Sequence, residues 1–332
     1  MSKPLPPWRD EGVPNPVRDE MEALAAALDQ AIPPKRAVSR NLLIGTWNIK
    51  AFASLTADKW TAEGSDSPKR DLRALWLITE LVSRFDVIAI QEIKGDLLAL
   101  RTMIKTLGAG WNFLMTDVTR GSAGNAERLG FVFDSRRVEP SGLAGELVVP
   151  EDWESVIPSG ALQRQFARTP YAVSFRAGGE TFVLVTLHID YGQSASDRAP
   201  ELRGIAEWLD SWAGQMDAYG QNLIALGDFN IDRHSDALWQ AFTSTGLTVP
   251  DSLHAVKRSI FASDGDSTLS KYYDQIAWFE TGSRRKLNME LSTAGSFDFV
   301  PFLYSELQMP KSSLQHRVSD HYPLWVEFHC RS

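Results

Sequence analysis

Apolar residues follow two different periods along this chain, one typical of strands and one typical of helices. From residue 41 onward, short runs rich in Val, Ile, Leu, Phe and Trp are separated by turn residues, as buried strands are. Because Gly178 and Gly179 separate two neighbouring runs, those two strands are expected to form an antiparallel hairpin. The predicted strands are Asn41–Asn48, Asp86–Gln91, Trp111–Met115, Leu129–Phe133, Tyr171–Phe175, Thr181–His188, Asn222–Leu226, Tyr273–Phe279 and Pro323–His329.

Between the strands, apolar residues recur every three or four positions, which is the spacing of amphipathic helices. Strands that alternate with helices indicate an α/β fold of at least two layers. The helical faces are Leu72, Leu75, Trp76, Thr79 and Val82; Leu97, Leu100, Ile104 and Leu107; and Leu202, Ile205, Leu209, Trp212 and Met216.

The first 40 residues differ in composition from the rest. Prolines at positions 4, 6, 7, 14 and 16 open this region, and Pro33 and Pro34 close it. Apolar residues between them have helical spacing, namely Val17, Met21, Leu24, Leu28 and Ile32. We predict a Pro-rich N-terminal arm over residues 1–40 with one amphipathic helix, which either packs on the body of the protein or serves a partner. Packing is the simpler hypothesis, and one large domain follows over residues 41–332.

The composition of the 332 residues excludes several classes of protein. With 43% hydrophobic and 23% charged residues, the chain is typical of a globular protein. Its one cysteine, Cys330, excludes an intrachain disulfide and a four-cysteine zinc site, so any metal must use oxygen or imidazole ligands. The sequence shows no leader-like start and no apolar run of ~20 residues, which predicts a cytoplasmic protein without a membrane partner. The net charge of -8 argues against a broad basic surface for nucleic acid.

Polar and chargeable residues stand directly beside the predicted strands. In α/β folds the loops at strand ends line shared crevices. Carboxylate and amide oxygens suit Mg²⁺ or Mn²⁺, and imidazoles can transfer protons, so such a set is suited to hydrolysis of phosphate esters. In chain order the residues are Asn48, Glu92, His188, Asp228, Asn230, Asp274, Asp320 and His321.

The motifs WNI, QE, LH, GDFN, DQI and SDHYP occur in this order, each beside an apolar strand. This ordered set resembles the endonuclease/exonuclease/phosphatase superfamily over roughly residues 41 to 330. The resemblance implies an α/β fold, a four-layer sandwich of two mixed β-sheets flanked by helices. It also implies cleavage of phosphodiesters or phosphomonoesters with Mg²⁺ or Mn²⁺, so residues 41–332 are expected to be the catalytic domain.

Several details resemble the pancreatic-type deoxyribonuclease branch more than the abasic-site endonucleases. The run NIKAF at residues 48–52 is similar to the first motif of that branch, and His188 stands where abasic-site enzymes use Tyr. Glu127-Arg128 before a strand and Arg168 two residues before Pro170 are also similar to that branch. The chain departs from it in having one cysteine, so the secreted role of those enzymes does not transfer.

The resemblance implies a role for each site residue. Glu92, Asn48 and Asp320 would hold the principal metal ion. Asp228 and Asn230 would orient the scissile phosphate or the attacking water, and the resemblance leaves a second divalent ion there as an alternative.

Two imidazole–carboxylate pairs are implied as the acid–base machinery. His321 would be oriented by Asp274 and His188 by Glu127, since a carboxylate stabilises a protonated imidazole and fixes its tautomer. Which imidazole activates water stays open.

Two basic residues are expected to bind the substrate. Arg168 would clamp phosphate oxygens with its planar fork. Lys94 stands where the deoxyribonuclease branch has an Arg that enters the DNA minor groove. Further basic residues would add a positive rim if they border the cleft, although solvated surface charge is the simpler reading for residues 284–286. They are Arg120, Arg128, Arg136, Arg137, Arg164, Arg284, Arg285, Lys286, Lys311 and Arg317.

The leading hypothesis is a metal-dependent phosphodiesterase that hydrolyses nucleic acid, in the first place a DNA endonuclease. The first alternative is a phosphomonoesterase or a lipid phosphodiesterase of the inositol-phosphate or sphingomyelin type on the same fold. The second is a non-catalytic binding protein, which ranks last because no expected acid or histidine is missing. The sequence identifies no protein partner.

Overall fold

Strands and helices alternate along most of the chain, as their periodicities predict. The computed structural model describes residues 3–56, 58–118, 126–147, 168–192, 194–216, 222–262, 270–280 and 287–330. The strands there are β1 (Leu42–Phe52), β2 (Val87–Ile93), β3 (Trp111–Met115), β4 (Arg128–Asp134), β5 (Glu139–Glu146), β6 (Tyr171–Ala177), β7 (Glu180–His188), β8 (Asn222–Asp228), β9 (Leu247–Thr248), β10 (Asp274–Phe279), β11 (Glu290–Ser296) and β12 (Leu324–His329).

The longest helices lie between strands of a parallel pair or in the N-terminal region. In the described residues the α-helices are α1 (Asn15–Ala31), α2 (Leu72–Val82), α3 (Leu98–Leu107), α4 (Ala195–Met216), α5 (Ala237–Phe242), α6 (Asp251–His254) and α7 (Lys311–Leu314). Two short 3₁₀ turns occupy Val300–Phe302 and Ser305–Leu307.

The strands form two six-stranded mixed sheets that share one pattern. The first sheet has the order β11-β12-β1-β2-β4-β3, and the second has the order β5-β6-β7-β8-β10-β9. In each sheet the central pair is parallel, β1 with β2 and β7 with β8, and every other pair is antiparallel. Helices α2 and α4 make the crossovers that parallel pairing requires. The predicted α/β fold with two mixed sheets is confirmed.

Alternating burial explains the layers. Ile44 and Phe131 point from the first sheet toward the second, where Phe131 meets Phe175 with ring centroids 5.7 Å apart. Leu43 and Ile88 point the other way and join the apolar cluster of α1, α2 and α3. Because successive side chains point to opposite faces of a strand, both faces of the first sheet are apolar and both are covered. Helix α4 covers the outer face of the second sheet.

The hairpin of β6 and β7 forms where two glycines predict it. Gly178 and Gly179 both have positive φ, 56° and 86°, which a tight two-residue hairpin turn requires. Other boundaries differ from the sequence prediction. Asn48 does not end β1, because the strand continues through a bulge to Phe52. Strand β5 was not predicted, since most of its residues are exposed and carry no apolar alternation.

The N-terminal helix α1 lies on the outer helical layer. Its residues Val17, Met21, Leu24 and Leu28 are buried, and the helix contacts α2. The carboxylate of Glu20 accepts a hydrogen bond from Arg73 Nε at 2.6 Å, which is a buried polar contact within this layer. The boundary of the arm at residue 40 stays a prediction. Among the described helices none is both long and apolar enough to cross a bilayer.

Candidate active site

The site begins where the parallel pairs of the two sheets meet. Asn48 projects from β1, Glu92 from β2 and Asp228 from the end of β8. The Asn48 side-chain amide donates to Glu92 Oε1 at 3.1 Å and to Asp228 Oδ2 at 2.9 Å, so one amide joins both sheets. Parallel strands bring their carboxyl ends to the same edge, which is why residues so distant in sequence share one cleft.

Asp228 is the central carboxylate of this cleft. Its Oδ2 lies 3.5 Å from His188 Nε2 and 3.8 Å from His321 Nε2, and its Oδ1 accepts the backbone N–H of Asn230 at 3.0 Å. Burial would raise the pKa of Asp228, but the two imidazoles and the amide of Asn48 outweigh it and lower the pKa. Asp228 is therefore ionised at neutral pH, and both imidazoles face it.

His321 and Asp274 form the first imidazole–carboxylate pair. His321 Nδ1 lies 2.7 Å from Asp274 Oδ2, and both residues are buried. Burial would lower the pKa of His321, but Asp274 and Asp228 together raise it to about 10. Burial also raises the pKa of Asp274, to about 6, against the opposing effect of His321. At neutral pH the imidazole of His321 therefore carries the proton.

His188 and Glu127 form the second pair, with His188 Nδ1 3.1 Å from Glu127 Oε2. Two cations contact the same carboxylate: Arg168 Nε lies 2.6 Å from Oε2, and Lys94 donates to Oε1 at 2.8 Å. Burial would raise the pKa of Glu127, but His188, Arg168 and Lys94 lower it to about 2. The structure thus brings both predicted substrate-binding residues to Glu127.

Two of the predicted site residues have strained backbones. Glu92 has a φ of 62° beside a bulge in β2, and Asn230 has a φ of 49°. Left-handed conformations in residues other than glycine cost on the order of 1–3 kcal/mol and concentrate at functional sites. In β2 the bulge directs Glu92 toward β1, where its Oε2 accepts the N–H of Ala51 at 2.9 Å.

The oxygen atoms near Asn48 fit a divalent cation. Asn48 Oδ1 is buried and has no hydrogen-bond partner among the described residues, so this acceptor is available as a ligand. Glu92 supplies a carboxylate beside it. A second group that could hold an ion consists of Asp228, Asp274 and His321, whose ligand atoms lie within 4.8 Å of one another.

Asp320, the third predicted metal ligand, is placed differently from the other two. Its Oδ2 accepts a hydrogen bond from Lys50 Nζ at 2.9 Å, and Lys50 also donates to Gln315. The lysine ammonium thus already neutralises this carboxylate from a half-exposed position. The oxygen donors best suited to hold an ion are therefore those of Glu92 and Asn48, whereas the carboxylate of Asp320 is occupied by Lys50.

Sequence reasoning missed Arg70, a buried residue that supports the site. Its guanidinium donates to the carbonyls of Lys50 at 2.6 Å and Ala51 at 2.8 Å, and to those of Arg317 and Val318 at 2.9 and 3.0 Å. It thereby connects the end of β1 to the segment that leads into Asp320 and His321. Nothing in the local sequence distinguishes this arginine from a solvated one, because its partners are distant backbone carbonyls.

The other basic residues of the predicted rim are mostly engaged elsewhere. Arg136 contacts Asp134, Arg137 contacts Asp86, and Arg317 contacts Asp71. Arg128 donates to the carbonyl of Lys94 at 3.0 Å. Of the remaining members, Lys311 is exposed at the start of α7, and those at positions 120, 164 and 284–286 lie outside the described residues.

Known proteins match this chain in sequence and in fold. A family model described as "Endonuclease/Exonuclease/phosphatase family" matches residues 45–321. A deoxyribonuclease from Thioalkalivibrio sp. (strain K90mix) is 27% identical over 303 residues, which cover 87% of this chain and 71% of that protein.

Two solved structures share the fold. Mannosyl-6-phosphatase Bt3783 from Bacteroides thetaiotaomicron superposes with a TM-score of 0.53 at 18% identity, covering 86% of this chain and 99% of that one. TDP2 from D. rerio, in complex with a single-strand DNA product, superposes with a TM-score of 0.53 at 14% identity, covering 87% and 98%.

The match extends over most of the chain and includes every motif from the first strand to His321. The family predicted from the ordered motifs is confirmed. Membership of this family implies an enzyme and argues against the alternative of a non-catalytic binding protein. The chain belongs to the endonuclease/exonuclease/phosphatase family and is a hydrolase that acts on phosphate esters.

Proposed function

We propose that the protein is a divalent-metal-dependent phosphodiesterase that cuts nucleic acid internally, with DNA as its substrate. The observation that carries this proposal is the convergence of two imidazole–carboxylate pairs on Asp228, with imidazole Nε2 atoms at 3.5 and 3.8 Å. A phosphate ester bound beside Asp228 would be within reach of both imidazoles. One can then accept a proton from water while the other donates one to the leaving oxygen.

We assign the roles of the two imidazoles from the charged groups that surround them. His321 is protonated at neutral pH, because Asp274 and Asp228 raise its pKa to about 10 against the effect of burial, so we assign it the proton donor role. His188 is left as the acceptor. Asp228 and Asn230 would orient the phosphate or the water between them, as the family resemblance implies.

Glu92 and Asn48 would hold the principal ion, Mg²⁺ or Mn²⁺, since hard oxygen ligands prefer such cations. When bound, the ion would neutralise phosphoryl oxygens and polarise the scissile bond. Asp320 would join this set if Lys50 moves away from it, and Asp228, together with Asn230, is the candidate position for a second ion. The contact of Arg168 with phosphate and that of Lys94 with the DNA minor groove stay predictions, as does a cytoplasmic location.

DNA is favoured as substrate by two relatives. One is named as a deoxyribonuclease, and a structure with the same fold holds a single-strand DNA product. The structure of mannosyl-6-phosphatase Bt3783 superposes on this chain with the same TM-score as the DNA-bound structure, 0.53. Hydrolysis of phosphomonoesters, or of lipid phosphodiesters, is therefore the alternative that the experiment must separate.

The test is a substrate panel with purified protein, stripped with EDTA and then supplied with Mg²⁺ or Mn²⁺. We expect conversion of supercoiled plasmid to nicked circles, because a circle has no end for an exonuclease. Glu92→Gln should abolish this activity, whereas Glu139→Gln, on the exposed strand β5, should not. Phosphate release from inositol or sugar phosphates, with all DNA and RNA forms uncut, would overturn the proposal.

A further inference from the structure

An exposed tyrosine stands at the rim of the cleft, three residues after His188. Tyr191 is 55% exposed, which is unusual for so large an aromatic side chain. Its ring is nevertheless held in place. The guanidinium carbon of Arg198 lies 4.6 Å from the ring centroid, and the ring of Tyr273 meets it edge to face at 6.5 Å and 79°.

The supports beneath this ring are themselves fixed. Arg198 is buried, donates to the carbonyl of Asn230 at 2.9 Å, and contacts Asp232 at 2.6 Å. The buried guanidinium therefore lies over the Tyr191 ring, while more than half of this residue remains open to solvent. A flat aromatic surface is thus ordered before any ligand binds, so the ring loses little conformational entropy on binding.

Tyr273 connects this surface to the reacting groups. Its ring lies 5.5 Å from the ring of His321, centroid to centroid, and Lys271 Nζ lies 3.4 Å from its hydroxyl oxygen. Tyr191 is therefore one aromatic neighbour away from the imidazole that faces the phosphate. A nucleotide adjacent to a phosphate bound at Asp228 would place its base over the exposed ring, with Arg198 and Lys271 supplying positive charge nearby.

We propose that Tyr191 stacks on one unpaired nucleobase next to the bond that is cleaved, and that single-stranded or locally unpaired nucleic acid is consequently a better substrate than intact duplex. Every base has a π-face, so such stacking tolerates all sequences. In a duplex both faces of that base are already stacked, and exposing one requires unstacking and unpairing. The inference rests on the proposed function, because it presupposes that the cleft binds nucleic acid.

The experiment uses a single-stranded oligonucleotide in which every linkage but one is an uncharged methylphosphonate, so that the cleavage position is fixed. The base on either side of the cleavable bond is replaced in turn by a tetrahydrofuran residue. We expect Tyr191→Ala to raise KM roughly 10- to 100-fold on the complete oligonucleotide, with kcat little changed. Tyr191→Phe, which keeps the ring, should stay within about threefold of the native protein.

Removal of the stacked base should have the same effect as removal of the ring. On the oligonucleotide that lacks this base, the native protein and Tyr191→Ala should have equal KM values, because each change removes the same contact. If Tyr191 stacks on an unpaired base, Tyr191→Ala should also raise KM less on duplex than on single strands.

Two results would overturn the inference. One is a Tyr191→Ala variant that matches the native protein on single strands. The other is a rise in KM of Tyr191→Ala that is as large on duplex as on single strands and that does not change when the base is removed. Such a result would indicate that Tyr191 contacts a sugar in a groove. In both cases the native protein still cuts nucleic acid, whereas failure of the proposed function would show as no cutting of any nucleic acid by the native protein.

Discussion

The two imidazole–carboxylate pairs of the cleft have the same chemical groups and opposite electrostatic surroundings. Asp274 faces His321, and the nearby guanidinium of Arg258 donates to the backbone carbonyl of Asp274 at 2.8 Å. Glu127 faces His188 and is contacted on its carboxylate by two cations. The pKa of Asp274 is accordingly raised to about 6, mainly by burial, while that of Glu127 is lowered to about 2.

This difference assigns different work to the two carboxylates. Asp274, together with Asp228, keeps a proton on the imidazole of His321 at neutral pH. Glu127 is already neutralised by Arg168 and Lys94, and its effect on His188 is mainly to orient the ring. The two pairs therefore stabilise the fold in opposite pH ranges. His321, whose folded pKa exceeds 6.5, stabilises below pH 6.5 and loses this effect as the pH rises through about 10.

The largest expected effect is the loss of either imidazole. His321→Ala and His188→Ala should each lower kcat by about 100-fold or more, because general acid–base catalysis contributes ~10²–10⁴. Since both imidazoles act on one phosphate, the double variant should be less than additive. Steady-state cleavage measures this, with His329→Ala as the control, because His329 is exposed at the end of β12. A native rate in His188→Ala would show that the second pair has no part in proton transfer.

The next largest effect tests whether Asp274, unlike Glu127, controls the charge of its imidazole. Asp274→Asn should lower the pKa of His321 well below about 10, because it removes a charge that raises it. Proton donation at neutral pH should weaken, with a loss in kcat of roughly 10- to 100-fold that is smallest in acid, where the imidazole remains protonated.

The pKa of His321 can be followed directly by NMR of its ring from pH 5 to 10. The matched control is Asp251→Asn, which removes an exposed carboxylate 3.7 Å from His254. If His321 titrated at the same pH in Asp274→Asn as in the native protein, the charge dependence inferred for this pair would be wrong.

The sequence predicts the members of the two imidazole–carboxylate pairs but not the cations that surround one of them. The family resemblance, which rests on short motifs beside apolar strands, implies the pairs of His321 with Asp274 and of His188 with Glu127. The same resemblance implies that Arg168 and Lys94 bind the substrate, and it does not predict their contacts with Glu127. Sequence order carries no information on which carboxylate a long basic side chain reaches, since several partners lie within the length of one arginine.

The same limit applies to the fold. Buried strands such as β7 (Glu180–His188) were predicted within one residue, because apolar runs mark strands that are covered on both faces. Strand β11 (Glu290–Ser296) was missed, since its half-exposed small and polar residues have no such run. Asn48 was placed at the end of β1 because the apolar run ends there, whereas backbone pairing with β2 resumes at Phe52 after the bulge.

A smaller effect is expected at acid pH, where the Glu127 pair should lose its stabilising effect on the fold. The folded pKa of Glu127, about 2, lies below the 4.5 of the unfolded state, so its stabilisation is present above pH 4.5 and is lost as the pH falls through about 2. A shift of this size corresponds to on the order of 3 kcal/mol. The unfolding free energy of metal-free Glu127→Gln should therefore depend less steeply on pH than that of the native protein between pH 5 and 2. Equal slopes would contradict the assignment, and Glu139→Gln provides the exposed control.

The smallest effect distinguishes the two cations that hold Glu127. The side chain of Lys94 is 22% exposed, whereas that of Arg168 is 8% exposed, so water screens the lysine contact more. Partly exposed ion pairs are worth about 1 kcal/mol or less, while a buried carboxylate that loses its closest cation is left poorly compensated. Lys94→Met should therefore lower the urea midpoint at pH 6 less than Arg168→Met does. A larger loss in Lys94→Met would mean that the lysine is the main counter-charge, and that the second pair is stabilised from the solvent side of the cleft.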